Sequence, residues 1–355
     1  MKSATESVHS RFRRKTMSFA EQHFGTASSV PQVGNAVNAC RKTVHTSNLW
    51  QHERVLTGWN QVYDQLSKGR FNGQITEALI GDVQLFEEKT SQAVFETGPG
   101  RTGVVALGVF AHLDGEARWR GHTVGMDHVT ALSDHATLEL STPPNCTMMS
   151  VTVPVSMLPV EDEQVGLDAT ELLANAANHV HNPAFAATLR HRLSIALLTM
   201  TYQPYQLALT EARDQLVSEL VGLVDEYLGL ATHGDGTADA KKALHVVAKA
   251  REYIEANPDR PVTVLDLCQR TFTSRRTLQY CFTQVIGTSP AAYLKIVRLN
   301  GLHRDLMNSR GAKTIGDMAA RWGFWHLSQL SVDYKRLFGE LPSETVKRVG
   351  GRTFQ

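Results

Sequence analysis

Three polar side chains near residue 280 have the types and the spacing needed to read the edges of DNA bases. Arg276, Gln279 and Thr283 lie at positions i, i+3 and i+7, so on a helix they project together. Arginine can chelate O6 and N7 of guanine, and glutamine can bridge N6 and N7 of adenine in the major groove. Arg275 or Lys295 is suited to phosphate, which supplies affinity without sequence information. Any one of these residues alone would be an ordinary solvated helix face, so the surrounding elements decide the interpretation.

Those elements predict a helix-turn-helix. Thr263 is a good N-cap for a short helix from Val264 to Arg270, and Ser274 caps a second helix that runs to about Ile286. On the second helix the apolar stripe predicts the buried side. The buried positions are Leu278, Phe282 and Val285, and the outward positions are Arg275, Arg276, Gln279, Tyr280 and Thr283. The outward set, with the cap Ser274 and with Lys295, forms the predicted contact surface of this unit.

The same pattern occurs a second time, 52 residues later. Gly287 and Pro290 correspond to Gly339 and Pro342, and the buried pairs Leu278/Leu330 and Phe282/Tyr334 have the same offset. A repeat with this period is one supersecondary unit used twice. Ser289-Pro290 starts a long helix to about Met307, which the pattern predicts to be a rigid spacer. Two helix-turn-helix units on one spacer are suited to two successive turns of a DNA groove.

The second copy opens at Thr314, and its second helix runs from about His326 to Phe338. Its turn is one residue longer than the turn of the first copy. The predicted contact residues are Ser328, Gln329, Ser331, Lys335 and Arg336. Leu327, Val332 and Asp333 are also predicted to face outward, where a base reader usually carries polar or basic groups. We therefore expect this helix to make mainly phosphate and shape contacts.

The distribution of charge separates the chain into two parts. Residues 241–355 hold 19 Lys and Arg against 9 Asp and Glu, whereas residues 1–240 hold 17 against 26. A basic part beside an acidic part is typical of a nucleic-acid-binding module joined to a domain with another task. The four cysteines form no CxxC, which fits a reducing compartment, and no secretory signal or membrane-length apolar run is present. We expect a cytoplasmic protein that does not enter the membrane.

The pattern of elements predicts an α+β chain. Residues 1–50 are a polar arm, and 51–230 form one domain whose segment 168–229 is helical. Residues 231–242 form a linker, and 243–350 form an all-α domain of two helix-turn-helix units joined by a long helix. Five short runs predict the strands of a small β-barrel or sandwich: 75–80, 83–86, 103–110, 136–140 and 148–153. Leu216, Leu220, Leu223 and Tyr227 form one helical stripe, suited equally to packing within the subunit and to a dimer seam.

The paired motifs resemble the AraC/XylS family of transcription regulators. The resemblance rests on residues 262–267 with 274–279, then Gly287-Thr288-Ser289-Pro290, and on Gly323-Phe324 with residues 338–343. It implies base contacts by Arg276, Gln279 and Tyr280 in the first unit, and by Leu327, Ser328, Gln329, Ser331 and Val332 in the second. An arginine is common in the family where Val332 stands here, so this chain departs from the pattern at that position.

The resemblance also implies the rest of the architecture and the partners. The N-terminal region would be a cupin-like sensor that binds a small-molecule effector and dimerises. The partners would be double-stranded DNA, a second copy of the chain and, for an activator, RNA polymerase. Residues 264–268, 275–279 and 322–327 are similar to regulators of ethanolamine-utilisation operons, and so is the stretch 59–66. That similarity implies ethanolamine and adenosylcobalamin as effectors.

The sequence predicts no catalytic or metal site. His112, His122, His128 and His135 lack the His-x-His, Glu and His spacing of a metal-binding cupin, and His179-Val180-His181 falls in a stretch predicted to be helical. No nucleophile with a base and no resident cofactor is predicted, so the chain is not expected to be an enzyme. The effector site cannot be read from the sequence; Trp119, Phe95 or Phe110 could line an apolar pocket or pack in a core. Control by a partner protein, and a cupin enzyme fused to a DNA-binding domain, are the alternatives.

Overall fold

The computed structural model describes residues 39–133, 136–158, 178–231, 238–257, 260–309 and 314–350. The residues from Ala39 onwards form one compact unit. Within it, residues 39–231 make up a sheet-rich part, here called the sheet domain, and residues 238–350 make up the helical domain. The predicted α+β class is confirmed. The sequence allowed either a β-barrel or a sandwich, and the structure has two separate sheets.

The sheet domain consists of two antiparallel sheets. The seven-stranded sheet has the order β1-β3-β4-β11-β6-β9-β12, and the five-stranded sheet has the order β2-β5-β10-β7-β8. The strands are β1 Ala39–Thr46, β2 Val62–Gln65, β3 Gly73–Ile80, β4 Val83–Thr90, β5 Val94–Pro99, β6 Val104–His112, β7 Ala117–Trp119, β8 His122–Val124, β9 His128–Ser133, β10 Thr137–Thr142, β11 Cys146–Pro154 and β12 His179–His181. The five predicted runs correspond to β3, β4, β6, β10 and β11.

Three helices complete the sheet domain: α1 Leu49–His52, α2 Pro183–Tyr202 and α3 Thr210–Leu230. The last two pack on the outer face of the seven-stranded sheet. Leu220, Leu223 and Tyr227 of the predicted stripe are buried there with Leu107 and Val151 of the sheet. The stripe therefore packs within the subunit.

Three stretches differ from the sequence-based expectation. Residues 39–46, expected within a polar arm, pair with β3 along their whole length. Residues 179–181, expected to be helical, form β12, in which His181 lies opposite His128 of β9. A three-residue strand is decided by its partner across the sheet, which local periodicity does not show. The third stretch begins at Ala238, where a helix starts inside the predicted linker; residues 232–237 lie outside the described part.

The helical domain contains seven helices in its described residues: α4 Ala238–Glu255, α5 Val264–Thr271, α6 Arg275–Val285, α7 Pro290–Asn308, α8 Ile315–Arg321, α9 Leu327–Phe338 and α10 Pro342–Gly350. One core joins α4, α5 and α6 to the first part of α7, and a second core joins the end of α7 to α8 and α9. None of the helices in the described residues is long and apolar enough to cross a membrane.

The two domains share a polar and apolar contact along the five-stranded sheet. Phe95 of β5 turns away from the sheet domain and packs edge-on against Tyr293 of α7, with ring centroids 6.2 Å apart. The side-chain amide of Asn300 pairs with both backbone groups of Gln65, at 3.0 Å to its N–H and 3.2 Å to its carbonyl. Because β2 is the edge of its sheet, this amide takes the place of a neighbouring strand.

Candidate nucleic-acid interface

The first helix-turn-helix unit, residues 263–286, is fixed by caps at both of its helices. The Thr263 hydroxyl accepts from the Asp266 N–H while the Asp266 carboxylate accepts from the Thr263 N–H, a complete capping box. Phe272 ends α5 in the left-handed region, with φ 53°, and the Thr273 N–H then donates to the Cys268 carbonyl at 3.1 Å. Ser274 caps α6 by accepting from the Thr277 N–H, as the sequence predicted.

The second unit, residues 314–338, is built in the same way. Thr314 and Asp317 form the equivalent capping box 51 residues later. At the turn, the Phe324 N–H donates to the Ala319 carbonyl at 2.9 Å, the counterpart of the bond from Thr273 to Cys268. Beyond it the offset becomes 52, because α9 starts at Leu327 and α6 at Arg275. The extra residue in the turn therefore lies between the shared bond and the second helix.

The outer face of α6 is free of packing and carries the predicted side chains. Arg275, Arg276, Gln279, Tyr280 and Thr283 are all exposed, whereas Leu278, Phe282 and Val285 are fully buried on the other side. The Gln279 amide donates to the Thr283 hydroxyl at 3.2 Å, so two of the polar side chains are already aligned along the face. This arrangement presents a guanidinium and an amide in one row, as base-edge recognition requires.

The outer face of α9 is less polar, and one prediction about it is wrong. Ser328, Gln329, Lys335 and Arg336 are exposed and Ser331 is half-buried, with Leu327 and Val332 exposed beside them. Asp333, predicted to face outward, is buried at 7% exposure. It accepts from Lys295 Nζ at 2.7 Å and from Gln329 Nε2 at 3.1 Å. The ion pair with Lys295 of α7 draws this carboxylate inward. The periodicity of α9 alone cannot predict a contact with another helix.

Asp333 consequently connects two of the predicted contact residues. Burial raises the pKa of its carboxyl, but the hydrogen bonds from Lys295 and Gln329 and the charge of Lys295 outweigh burial and leave the pKa below its ordinary value. The carboxylate is therefore charged, and Lys295 is engaged with it in the absence of DNA. Lys295 is still half-exposed, so its ammonium can also face an incoming phosphate.

Two large apolar side chains that sequence reasoning did not select stand at the turns. Phe272 is 91% exposed in the first turn, and Trp325 is 72% exposed in the second. Each is a single exposed aromatic side chain beside the second helix of its unit. The sequence could have indicated both residues, because each is a large aromatic residue in the turn between the two helices of its unit.

The histidines of the sheet domain come together at one edge. His122, His128, His179 and His181 are neighbours, with ring-centroid distances of 4.4 Å between His122 and His179 and 4.7 Å between His128 and His181. Desolvation lowers the pKa values of His122 and His128, helped by Arg120 and His181 respectively. Within the described ranges, no three His, Cys, Asp or Glu side chains are placed to hold a metal ion. His135 lies outside those ranges.

The aromatic residues considered for an effector pocket do not share one. Phe110 and Trp119 are buried together between the sheets, and the Trp119 indole donates to the Asn178 carbonyl at 2.8 Å. Phe95 belongs to the core of the helical domain. Core packing is therefore what the structure shows for all three.

Comparison with known proteins identifies the helical domain. Residues 267–348 match a family model described as a helix-turn-helix domain. The chain is 35% identical over 105 residues to a probable thc operon regulatory protein of Rhodococcus erythropolis, covering 29% of this chain and 32% of the relative. It is 32% identical over 183 residues to a putative AraC-like transcription regulator of Streptomyces lividans, covering 50% of this chain and 59% of the relative. The helical domain therefore contains a helix-turn-helix domain, and the chain is similar to an AraC-like regulator.

A longer match extends into the sheet domain. An XylDLEGF operon transcriptional activator of Pseudomonas putida is 25% identical over 296 residues, which is 79% of this chain and 86% of the relative. The chain thus spans about a third of the Rhodococcus relative and most of the Pseudomonas relative. This match therefore includes parts of both the sheet domain and the helical domain.

Proposed function

We propose that this chain is a sequence-specific DNA-binding transcription regulator whose AraC-type domain reads two successive major-groove segments. The observation that carries the proposal is the repeat itself: two helix-turn-helix units with equivalent capping boxes and turn bonds are joined by the continuous helix α7. A helix-turn-helix places its second helix in the major groove. The exposed row on α6 has the side-chain types that base reading needs.

The contacts are divided by chemistry. Arg276 and Gln279 read base edges, with Tyr280 and Thr283 beside them, and Arg275 and Lys295 bind phosphate. On α9 the polar residues Ser328, Gln329 and Ser331 face the groove, while Lys335 and Arg336 approach the backbone. Leu327 and Val332 suit thymine methyl groups. The second unit therefore contributes more to affinity and shape recognition than to sequence discrimination.

The sheet domain serves as the sensor in this proposal. The proposed organisation keeps residues 51–230 as the sensor and 243–350 as the reader, with a small molecule shifting the equilibrium between two arrangements of the domains. Such a shift requires the effector to bind one arrangement more tightly than the other. Ethanolamine and adenosylcobalamin belong in the effector tests because of the sequence similarity, whereas the relatives found by comparison are named for other operons.

An exposed apolar surface supports a homodimer. Leu198, Tyr202, Tyr205 and Leu209 are each more than half exposed and surround the connection between α2 and α3. A cluster of this kind on a surface is typical of a protein contact. The proposal further includes activation of transcription, which the name of the Pseudomonas relative states for that protein, with RNA polymerase as a partner and a cytoplasmic location. It assigns no reaction to the chain.

Selection of bound duplexes from a randomised pool tests the proposal. We expect the wild-type protein to enrich one sequence with two segments about 34 Å apart, one helical turn, as two units on a spacer require. Binding of the enriched duplex should weaken linearly on a log–log salt plot, with a slope of about −0.9 for each phosphate neutralised. Enrichment of no sequence, together with salt-independent binding, would contradict the proposal.

A further inference from the structure

A basic loop of the sheet domain lies against the end of the second recognition helix. It consists of residues 66–72, between β2 and β3, and is here called the 66–72 loop. The Gly69 N–H donates to the Leu337 carbonyl of α9 at 3.0 Å, and the Gln65 side-chain amide donates to the same carbonyl at 2.6 Å. The last carbonyls of a helix have no partner within the helix, so these two bonds fix the loop at the C-terminal end of α9.

The loop brings Arg70 to the outer face of α9. Gly339 ends that helix in the left-handed region, with φ 72°. A Cβ on Gly339 would lie 3.0 Å from the backbone nitrogen of Arg70 and 3.2 Å from its Cβ. Lys335 and Arg336 come four and three residues before Gly339, so they lie on the same side of the helix. Arg70 therefore continues the basic side of α9 beyond the end of the helix.

The basic side chains around this helix end have no acidic partner. All four are exposed, and none forms an ion pair within the ranges that the structure describes: Lys68, Arg70, Lys335 and Arg336. The carboxylates of Asp333 and Glu340 are buried and already paired with other cations. Like charges repel, and the negative end of the helix dipole offsets this repulsion only in part. The group therefore favours an anionic partner.

The backbone of the loop is held in place by the sheet domain. The Ser67 hydroxyl donates to Gln92 Oε1 at 2.6 Å and accepts from the Ala93 N–H at 2.8 Å. Gln92 Nε2 in turn donates to the Arg70 carbonyl at 3.1 Å. A side chain on an ordered backbone loses less conformational freedom when it binds a partner. The loop thus presents its two cations at a defined place beside α9.

The length of α9 brings this place to the rim of a DNA groove. The helix has 12 residues and is therefore about 18 Å long. The major groove is about 12 Å wide. In a helix-turn-helix the N-terminal residues of the second helix contact base edges. The last turn of α9 therefore reaches the phosphates that border the groove, and the 66–72 loop arrives there with it.

We infer that Lys68 and Arg70 bind phosphates of the DNA segment that the second unit occupies, so that the sheet domain itself takes part in DNA binding. The inference rests on the proposed function, to which it adds a second domain in contact with the duplex. Phosphate contacts supply affinity without sequence information, so the loop strengthens binding to every duplex. Because the DNA then contacts both domains, it favours the arrangement in which the 66–72 loop stays on α9.

The salt dependence of duplex binding by the full-length protein tests this inference. The slope of log K against log salt concentration is about −0.9 for each phosphate neutralised. Fluorescence anisotropy with the enriched duplex measures this slope for the wild type and for the double variant Lys68→Gln/Arg70→Gln. We expect the double variant to bind all duplexes more weakly, with a slope less steep by at least about 0.9.

Two further double variants serve as controls. Lys68→Arg/Arg70→Lys retains both charges and should keep the wild-type slope. Arg41→Gln/Arg192→Gln removes two exposed cations from β1 and α2, on the seven-stranded sheet and away from α9, and should also keep it. Thermal unfolding without DNA verifies that each variant is folded at the temperature of the binding assay.

Two results would overturn the inference. One is a wild-type slope in Lys68→Gln/Arg70→Gln, which would leave the two cations with a role at the end of α9 only. The other is an equal loss of slope in Arg41→Gln/Arg192→Gln, which would assign the effect to net charge. The wild type keeps the two proposals apart: if it binds no duplex in a salt-dependent way, the proposed function itself fails.

Discussion

Arg304 of α7 and Asp64 of β2 form the central ion pair between the two domains. The guanidinium donates from Nη2 to Asp64 Oδ1 at 2.8 Å and to the Tyr63 carbonyl at 2.6 Å, and the Asp64 side chain is 10% exposed. A carboxylate and a guanidinium that are both largely buried stabilise the chain only while both are present. The contact therefore couples the folding of the helical domain to the edge strand β2.

Asp64→Asn should lower the free energy of unfolding by about 1–3 kcal/mol, because it removes the nearer carboxylate from a largely buried guanidinium and leaves only Glu53, whose Oε2 lies 4.0 Å from Arg304 Nε. Urea unfolding of the full-length protein measures the change. Asp82→Asn is the control, since Asp82 lies exposed in the turn between β3 and β4 and should be nearly neutral. Equal free energies of unfolding for the two variants would show that the ion pair does not stabilise the folded chain.

Gln279→Ala should relax the preference for one base pair of the enriched site, at a cost of about 1–3 kcal/mol for the preferred base. The measurement is the affinity for all four base pairs at each position of the site. Gln215→Ala on α3 is a close control, because Gln215 is also exposed and also donates within its helix, to Glu219 at 3.4 Å. If Gln279→Ala kept the parent order and strength across all duplexes, the assignment of α6 would be wrong.

Lys295→Gln should weaken binding to all duplexes about equally and make the salt slope about 0.9 less steep, because one phosphate contact is lost. The ion pair with Asp333 occupies Lys295 before binding, so the slope reports whether the ammonium serves phosphate as well. Lys89→Gln provides the control: Lys89 forms a similar ion pair with Glu87 at 2.8 Å on the sheet domain. An unchanged slope in Lys295→Gln would assign this lysine to the Asp333 contact alone.

Gly301→Ala should destabilise the second helix-turn-helix unit by about 1–3 kcal/mol through overpacking. Gly301 is in the middle of α7, where alanine would ordinarily be preferred, but a Cβ there would overlap the Trp322 indole. That indole is held by its hydrogen bond to Asp305 at 2.8 Å and cannot withdraw freely. Gly222→Ala in α3 meets no atom within 4 Å and should stabilise by up to about 1 kcal/mol. The two variants should thus shift the midpoint of thermal unfolding in opposite directions, and a shift in the same direction would show that Trp322 yields.

His303 should make the protein less stable as the pH falls from about 6.5 to about 4. Burial lowers the pKa of the folded imidazole to about 4, so the unfolded chain binds a proton in this window that the folded chain does not. The stability is intact above the unfolded pKa of about 6.5 and declines below it, by at most about 3 kcal/mol for this one group. Glu340, Arg348, Arg304 and the Tyr334 hydroxyl face the ring.

His303→Gln removes the titration and retains a polar side chain opposite the Tyr334 hydroxyl. Urea unfolding at about pH 7.5 and about pH 5 should therefore show a smaller pH-dependent loss in the variant than in the wild type. Parallel losses in the two proteins would place the pH dependence elsewhere, for example at His122 and His128, whose pKa values are also lowered.

The helical domain could be read from the sequence because its signals are local. Caps at Thr263, Ser274 and Ser289 act within one turn of their helices, and the spacing of Leu278, Phe282 and Val285 states which side is buried. The 52-residue repeat supplied an internal check. The prediction failed at Asp333, where a contact with α7 outweighs the position of the residue on its own helix.

The sequence alone determined the elements of the helical domain, the identities of the side chains on α6 and the class of the whole chain, since each depends on residues within a few turns of one another. Only the tertiary structure decided how β2 meets Asn300 and Arg304, that His179 and His181 form an edge strand, and that the 66–72 loop lies at the end of α9. Those features join residues up to 272 positions apart. Their pairing depends on long-range packing and desolvation, for which a single sequence carries no periodic signal.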